Sequence, residues 1–285
     1  MTTLRRSAPA KINLTLRVGG RRPDGFHEIE SLVALIDLAD EVEVTDHEDG
    51  CYSLECDDPA LPRDGSNLVL RAARALAQSA EINRGAEITL TKRIPAGAGL
   101  GGGSSDAAAT LMLLNDLWST DRSPAELEQL GATLGSDVPL FFHGPLCMAR
   151  GRGEQVARVP VALRAWVGLV LPPLTCPTAA VYAEFDRLPA PPAHPTPDEV
   201  RAALDAPDRL MGLLFNDLEA AATRVVPELG RLMERVEAAI GGPLRLTGSG
   251  SAFYRLFARR AAAEQWAEDV RQDLGMRVVV AQTLA

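Results

Sequence analysis

Polar and apolar residues alternate from Ser7 to Val18, with Ile12, Leu14, Leu16 and Val18 on one face of a strand and Lys11, Asn13, Thr15 and Arg17 on the other. The alternation stops at Gly19 to His27, where Pro23, Asp24 and Gly25 are strong turn formers. From Glu28 to Leu38 the apolar run has no clean period and fits strand or helix. Glu41 to Thr45 and Cys51 to Cys56 alternate like short strands. Ser66 and Asn67 are in place to cap a helix through Leu68, Ala72 and Leu76, and Gly85 to Ile94 reads as a strand. A helical stretch follows from Asp106 to Trp118, opened by Ser104 and Ser105. Ser123, Pro124 and Glu126 form a capping box with proline at the first helical position, which predicts a helix to about Leu134. Met148 to Pro160 reads as two short strands around Gly151 and Gly153.

The second half restarts with a buried strand, Ala165 to Leu171, and a helical Thr178 to Phe185. Leu188 to Pro197 (LPAPPAHPTP) reads as a surface loop. Helices are expected at Asp198 to Leu204, Phe215 to Arg224 and Pro227 to Ile240. Two strands then flank a second glycine turn (Leu246 to Phe257), followed by a helix (Ala258 to Leu274) and a last strand (Met276 to Ala281). The order β-α-α-β-β-α-β predicts an α+β protein of split-βαβ type, in two domains, 1–158 and 159–285.

Composition narrows the functional classes. With 285 residues and 46% hydrophobic content the chain can bury real cores, and a net charge of -9 without a Lys/Arg cluster argues against nucleic acid as the main partner. No run reaches the length of a membrane span, and the N-terminal residues lack a signal pattern, so a cytoplasmic protein that acts away from membranes is expected. Cys51, Cys56, Cys147 and Cys176 have no CxxC spacing and the four histidines are scattered, so neither a disulfide framework nor a His/Cys metal cage is expected.

Chemistry concentrates in IPAGAGLGGGSSDAAA, Ile94 to Ala109. Its glycines permit positive φ and close backbone approach to a ligand, and a glycine turn feeding a helix N-terminus favours phosphate. Gly97, Gly99 and Gly102 fit GxGxxG, but nearly a third of the chain precedes them and no acid closes a second strand. Ser104 stands where a Walker loop has lysine. A mobile linker would not sit between a strand and an Ala/Leu-rich helix. A phosphate cradle of neither familiar type remains. Taken singly, the other candidates have ordinary roles: Lys11 as a solvated edge-strand lysine, Phe26 as local core, His27 as a satisfied polar residue, Asp137 as an Asx turn or N-cap.

Together, a phosphate cradle, a lysine, the carboxylate of Asp137 and the second glycine turn supply the parts of phosphoryl transfer. PAKINL (Pro9 to Leu14), PAGAGLGGGSSDAA (Pro95 to Ala108) and LTGSGSA (Leu246 to Ala252) resemble, in order and spacing, the three motifs of the galactokinase, homoserine kinase, mevalonate kinase and phosphomevalonate kinase superfamily. PAKINLTL, DGFHE, NLVLRAA, LGGGSSDA, GSDVPLFF and FNDLE resemble the branch that phosphorylates 4-diphosphocytidyl-2-C-methyl-D-erythritol in the non-mevalonate isoprenoid pathway. The resemblance implies an N-terminal domain like the second domain of ribosomal protein S5, a ferredoxin-like C-terminal domain, and an active site in the cleft between them. It implies Asp137 as the base for the substrate's C2 hydroxyl, with Lys11 beside it favouring the ionised carboxylate. For ATP it implies Asn67 and Leu68 at the adenine, and Pro95, Ala96, Gly97, Ala98, Gly99, Leu100, Gly101, Gly102, Gly103, Ser104 and Ser105 as the phosphate loop. For the cytidylyl substrate it implies Asn13, His27 as reader of the base, and Phe26 and Tyr182 as stacking rings, Phe26 standing where the family pattern has Tyr. Mg²⁺ is expected with ATP. No protein ligand follows for it beyond a hydroxyl at Ser104 or Ser105.

Three other classes remain to be weighed. Another kinase of the superfamily would have no use for a cytosine clamp, a nucleotide-binding sensor would not retain Lys11 and Asp137, and a Rossmann oxidoreductase would bind NAD.

Overall fold

The computed structural model describes residues 2–47 and 50–285. In chain order the elements are β1 (Thr3–Asn13), β2 (Thr15–Arg21), β3 (His27–His47), β4 (Tyr52–Cys56), α1 (Leu68–Ser79), β5 (Gly85–Thr91), α2 (Gly102–Trp118), α3 (Pro124–Leu134), α4 (Leu140–His143), β6 (Leu146–Gly151) and β7 (Gln155–Arg158). There follow β8 (Trp166–Val170), α5 (Thr178–Phe185), α6 (Pro197–Arg201), α7 (Pro207–Met211), β9 (Phe215–Asn216), α8 (Glu219–Val225), α9 (Pro227–Ile240), β10 (Arg245–Leu246), β11 (Phe253–Phe257), α10 (Arg260–Leu274) and β12 (Val278–Gln282).

The ambiguous apolar run of the N-terminal half belongs to one long strand. β3 runs from His27 to His47, with β1 and β2 antiparallel along one edge and β6 and β5 antiparallel along the other. Its middle has no alternation because both faces are covered. Val33 and Leu35 enter the core beneath α1 and α2, while Leu32, Ala34 and Ile36 enter a second core shared with the C-terminal sheet. β4 pairs parallel to β5, β7 closes the β6 edge, and β9 adds parallel to β2. The second sheet, β10-β11-β8-β12, is antiparallel throughout. Its outer face packs on α5, α8, α9 and α10.

The first strand differs from its pattern. The alternation from Ser7 to Val18 is split at Leu14, whose amide is tied to Leu32 O at 2.8 Å while Thr15 Oγ1 accepts from Leu32 N at 3.0 Å. Ile12 and Leu14 therefore join the core between the sheets, and Leu16 and Val18 the core of the C-terminal helices. Lys11 is correspondingly not a solvated edge residue but 4% exposed.

Several helix boundaries also move. α2 begins at Gly102, so Ser104 and Ser105 lie inside the helix, and its N-cap is Gly101 in the left-handed region. Phe215 and Asn216 form a strand, with α8 starting only at Glu219. Asn216 Nδ2 donates to the carbonyls of Leu246 and Gly248, which holds the segment extended beside the second glycine turn. The capping box at Ser123 and Glu126 forms as expected, and Asn67 caps α1 by accepting from Val69 N at 3.0 Å.

Candidate active site

The glycine loop is clamped from two sides. Lys11 N donates to Leu100 O at 2.9 Å, Ala252 N to Ala98 O at 3.1 Å, and Thr247 Oγ1 to Gly99 O at 3.2 Å. Gly99 and Gly101 have φ of 77° and 72° and are hemmed in: a Cβ on Gly99 would stand 2.2 Å from Thr247 O, and one on Gly101 3.0 Å from Lys11 Cγ. Glycine is favoured at both by conformation, and at Gly99 it is also required by space.

Gly97, Gly99 and Gly101 line two cavities at once. On one side a cavity of about 340 Å³ is lined by Asn67, Leu68, Pro95 through Gly103, Ser104, Lys92 and Asp106. On the other a cavity of about 690 Å³ holds Lys11, Asn13, Phe26, His27, Asp137 and Tyr182, with Arg21 and Arg152 also in its wall. Of the sequence-derived candidates, Ser105 alone lies behind the lining, 1% exposed, with its hydroxyl unpartnered.

Lys11 and Asp137 face each other at 3.9 Å in contrasting surroundings, their side chains 5% and 42% exposed. Burial pushes the Lys11 amine below its usual value, and Asp137 opposes that shift. The ammonium donates to Asn13 Oδ1 at 2.6 Å, Asn13 Nδ2 to Ser31 Oγ at 2.8 Å, and Ser31 Oγ to Thr15 O at 2.6 Å. Asn13 is further fixed by Thr247 Oγ1, which accepts from its amide at 3.1 Å, and by Tyr254, whose hydroxyl donates to its carbonyl at 2.8 Å. Asp137 has no such cage. Leu140 N donates to its backbone carbonyl at 3.3 Å while its carboxylate looks into the larger cavity.

At the far end of that cavity Phe26 is 49% exposed, with the Arg152 guanidinium 5.2 Å from its ring centre. It is not tucked under as local core. His27 is buried and stacks on Tyr182, with centroids 5.0 Å apart and planes 29° from parallel. Its Nε2 lies 2.7 Å from Asp186 Oδ1. Burial, reinforced by Asp137, pushes the Tyr182 phenol up to about 12, so the ring enters the cavity as a neutral group.

Sequence reasoning missed a buried charge cluster, two of whose members, Lys92 and Asp106, line the smaller cavity. Lys92 Nζ is bonded to Asp106 Oδ2 at 2.7 Å and to Asp40 Oδ2. Burial opposes the ammonium, but the two acids outweigh it and raise its pKa. Burial in turn pushes Asp106 up to about 7, against the pull of Lys92. Asp106 Oδ1 has no hydrogen-bond partner. Asp40 Oδ1 accepts from Ile94 N at 2.9 Å and from Arg93 N, so the cluster also anchors the entrance to the glycine loop. The one available signal was Lys92 shortly before the run of glycines and Asp106 shortly after it.

Comparisons with known proteins bear on the family and the fold. The family described as GHMP kinases N terminal domain matches residues 67–145, and GHMP kinases C terminal matches 199–274. The 4-diphosphocytidyl-2-C-methyl-D-erythritol kinase of Pelotomaculum thermopropionicum is 41% identical over 272 residues, 93% of each chain. That of Salinibacter ruber is 40% identical over 266 residues, 91% of this chain and 92% of the relative. A crystal structure of 4-(cytidine 5'-diphospho)-2C-methyl-D-erythritol kinase superposes with a TM-score of 0.81 at 35% identity, covering 99% of this chain and 100% of that one. Mevalonate kinase of Methanococcus jannaschii shares the fold, with a TM-score of 0.72 at 13% identity. The two-domain α+β fold is that of the GHMP kinases, and the chain belongs to the 4-diphosphocytidyl-2-C-methyl-D-erythritol kinase family within them.

Proposed function

We propose that the protein transfers the γ-phosphoryl group of ATP to the C2 hydroxyl of 4-diphosphocytidyl-2-C-methyl-D-erythritol, with Asp137 and Lys11 as its catalytic pair. The observation that carries this reading is the glycine wall common to two cavities, with Lys11 and Asp137 facing only the larger one. ATP occupies the smaller cavity, its adenine toward Asn67 and Leu68 and its phosphates along Pro95 to Ser104. The cytidylyl substrate occupies the larger, with its base between Phe26 and Tyr182 beside His27 and its alcohol at Asp137.

Asp137 takes the proton from the C2 hydroxyl. The freed oxygen bonds to the γ-phosphorus as the bond to the β,γ-bridging oxygen breaks, and ADP leaves with that electron pair. Lys11, buried and already hydrogen-bonded to Asn13, offers a fixed positive charge that needs no reorganisation as negative charge develops on the attacking oxygen. The half-exposed Asp137 keeps solvent contact through which the abstracted proton can leave.

Mg²⁺ fits the smaller cavity as an ion held chiefly by phosphate. Among the described residues no cluster of three or more His, Cys, Asp or Glu side chains forms a cage, whereas Ser104 and the unpartnered Oδ1 of Asp106 belong to residues in the wall. These two would hold it, and the bound ion would offset charge on the phosphates. A cytoplasmic setting suits this chemistry and the buried thiols of Cys56, Cys147 and Cys176.

The test is an assay with the cytidylyl substrate, ATP and Mg²⁺, following ADP release and the position of the new phosphate by ³¹P NMR. The wild type is expected to phosphorylate the C2 oxygen and Asp137→Ala to lose turnover while still binding both substrates. An intact protein with no turnover, or an active Asp137→Ala variant, refutes the assignment.

A further inference from the structure

The surroundings of His27 carry an assignment beyond its place in the base site. α5 presents three side chains to the imidazole at i, i+3 and i+4 spacing, which a helix puts on one face. Tyr182 covers one face of the ring, Phe185 stands edge-on at 6.1 Å with planes 88° apart, and Asp186 meets Nε2 at 2.7 Å. Asp186 is itself held, as the C-cap of α5, by its amide donating to Tyr182 O at 3.1 Å. His27 begins β3 on the opposite wall, so the contact spans the cavity between the first sheet and α5. Among the described residues Nδ1 has no protein partner.

We infer that Asp186 is a positioning residue that fixes the hydrogen of His27 on Nε2 and thereby sets the preference of the site for cytosine over uracil. The inference rests on the cytidylyl-acceptor reading above. A carboxylate only accepts, so the nitrogen bonded to Asp186 is the donor, and in the neutral ring the other nitrogen then presents a lone pair. That lone pair matches the exocyclic amine of cytosine, a donor, and opposes the O4 of uracil, an acceptor at the corresponding position. Without Asp186 the ring is free to take the other tautomer or to rotate, and either base can be accommodated. Discrimination comes from leaving a buried polar group unpaired with the wrong base.

The experiment compares kcat/KM for the cytidylyl substrate and its uridylyl-linked counterpart in wild type, Asp186→Ala, Asp186→Asn and His27→Ala. Asp186 is 41% exposed, so its replacement leaves the fold intact. Asp186→Ala is expected to lower the cytidylyl-over-uridylyl ratio by about tenfold through KM, with kcat little changed, and Asp186→Asn, whose amide oxygen still accepts from Nε2, to keep the ratio within about threefold of wild type. ¹⁵N chemical shifts of His27 in the wild type are expected to show the Nε2-protonated tautomer. An unchanged ratio in Asp186→Ala, or parallel changes for both nucleotides, overturns the role of Asp186. If His27→Ala also leaves the ratio unchanged, it is the base-reading role of His27 that falls; if only Asp186→Ala does so, that role stands.

Discussion

Replacing Gly99 by alanine tests whether the two glycine turns are locked together as the hydrogen bonds indicate. The new methyl carbon would stand 2.2 Å from Thr247 O and 3.2 Å from Gly250 O. The first distance is more than about 1 Å inside ordinary contact, and both partners are backbone, so no rotamer change relieves it. Either the loop or the second glycine turn must retreat. That retreat breaks the bonds from Thr247 Oγ1 to Gly99 O and from Ala252 N to Ala98 O, each worth about 0.5–1.5 kcal/mol. Holding alanine at a φ of 77° adds about 1–2 kcal/mol. The expected loss is about 2–5 kcal/mol. Gly97 is the matched control, with a φ of 69° and nothing within 4 Å of its would-be Cβ. Gly97→Ala should lose only the conformational part, about 1–2 kcal/mol. Urea denaturation of both variants, followed by tryptophan fluorescence, measures the difference. If Gly99→Ala is no less stable than Gly97→Ala, the lock between the turns contributes nothing and the reasoning is refuted.

Lys11→Met should remove turnover by about a hundredfold or more while stabilising the fold by about 1–3 kcal/mol at neutral pH, because a buried, imperfectly paired ammonium is exchanged for an apolar side chain. The folded protein releases the Lys11 proton below the ordinary 10.5 at which the unfolded chain does, so wild-type stability rises with pH in the interval below 10.5, and Lys11→Met should lack that rise in urea titrations. Asp106 has the opposite sign: the folded state keeps its proton to about 7 and the unfolded chain to 3.8, so stability falls as pH climbs between those values. Asp106→Asn should flatten that fall between pH 5 and 7.5. An unchanged slope would mean that the group titrates alike in both states.

What was legible in the sequence was local. The capping box at Ser123, the strand into the glycine loop and, in the second half, β8, α5, α9, β11, α10 and β12 all announce themselves through turn chemistry and period. What was hidden depends on contacts from far along the chain. The break at Leu14 is made by Leu32, and the extended Phe215–Asn216 is held by carbonyls of residues 246 and 248. Asp40, which no local pattern marks, is 1% exposed because Lys92, Arg93 and Ile94 converge on it. Lys11 shows the same limit at the site itself. Its pattern fits a solvated lysine, and only the motif it shares with Asn13 pointed elsewhere. The structure encloses it between Leu100, Asn13 and the second glycine turn.

The partition between the two cavities is made of peptide, with few side chains to vary. Mutation has little purchase on it, since its hemmed-in glycines can only be lost, whereas the distal walls are ordinary side chains: Asn67 and Leu68 at one end, Phe26, His27, Tyr182 and Asp186 at the other. Evolution of such a fold is thereby confined to its ends. Rebuilding one remote wall would change what that cavity accepts while leaving the glycine partition undisturbed.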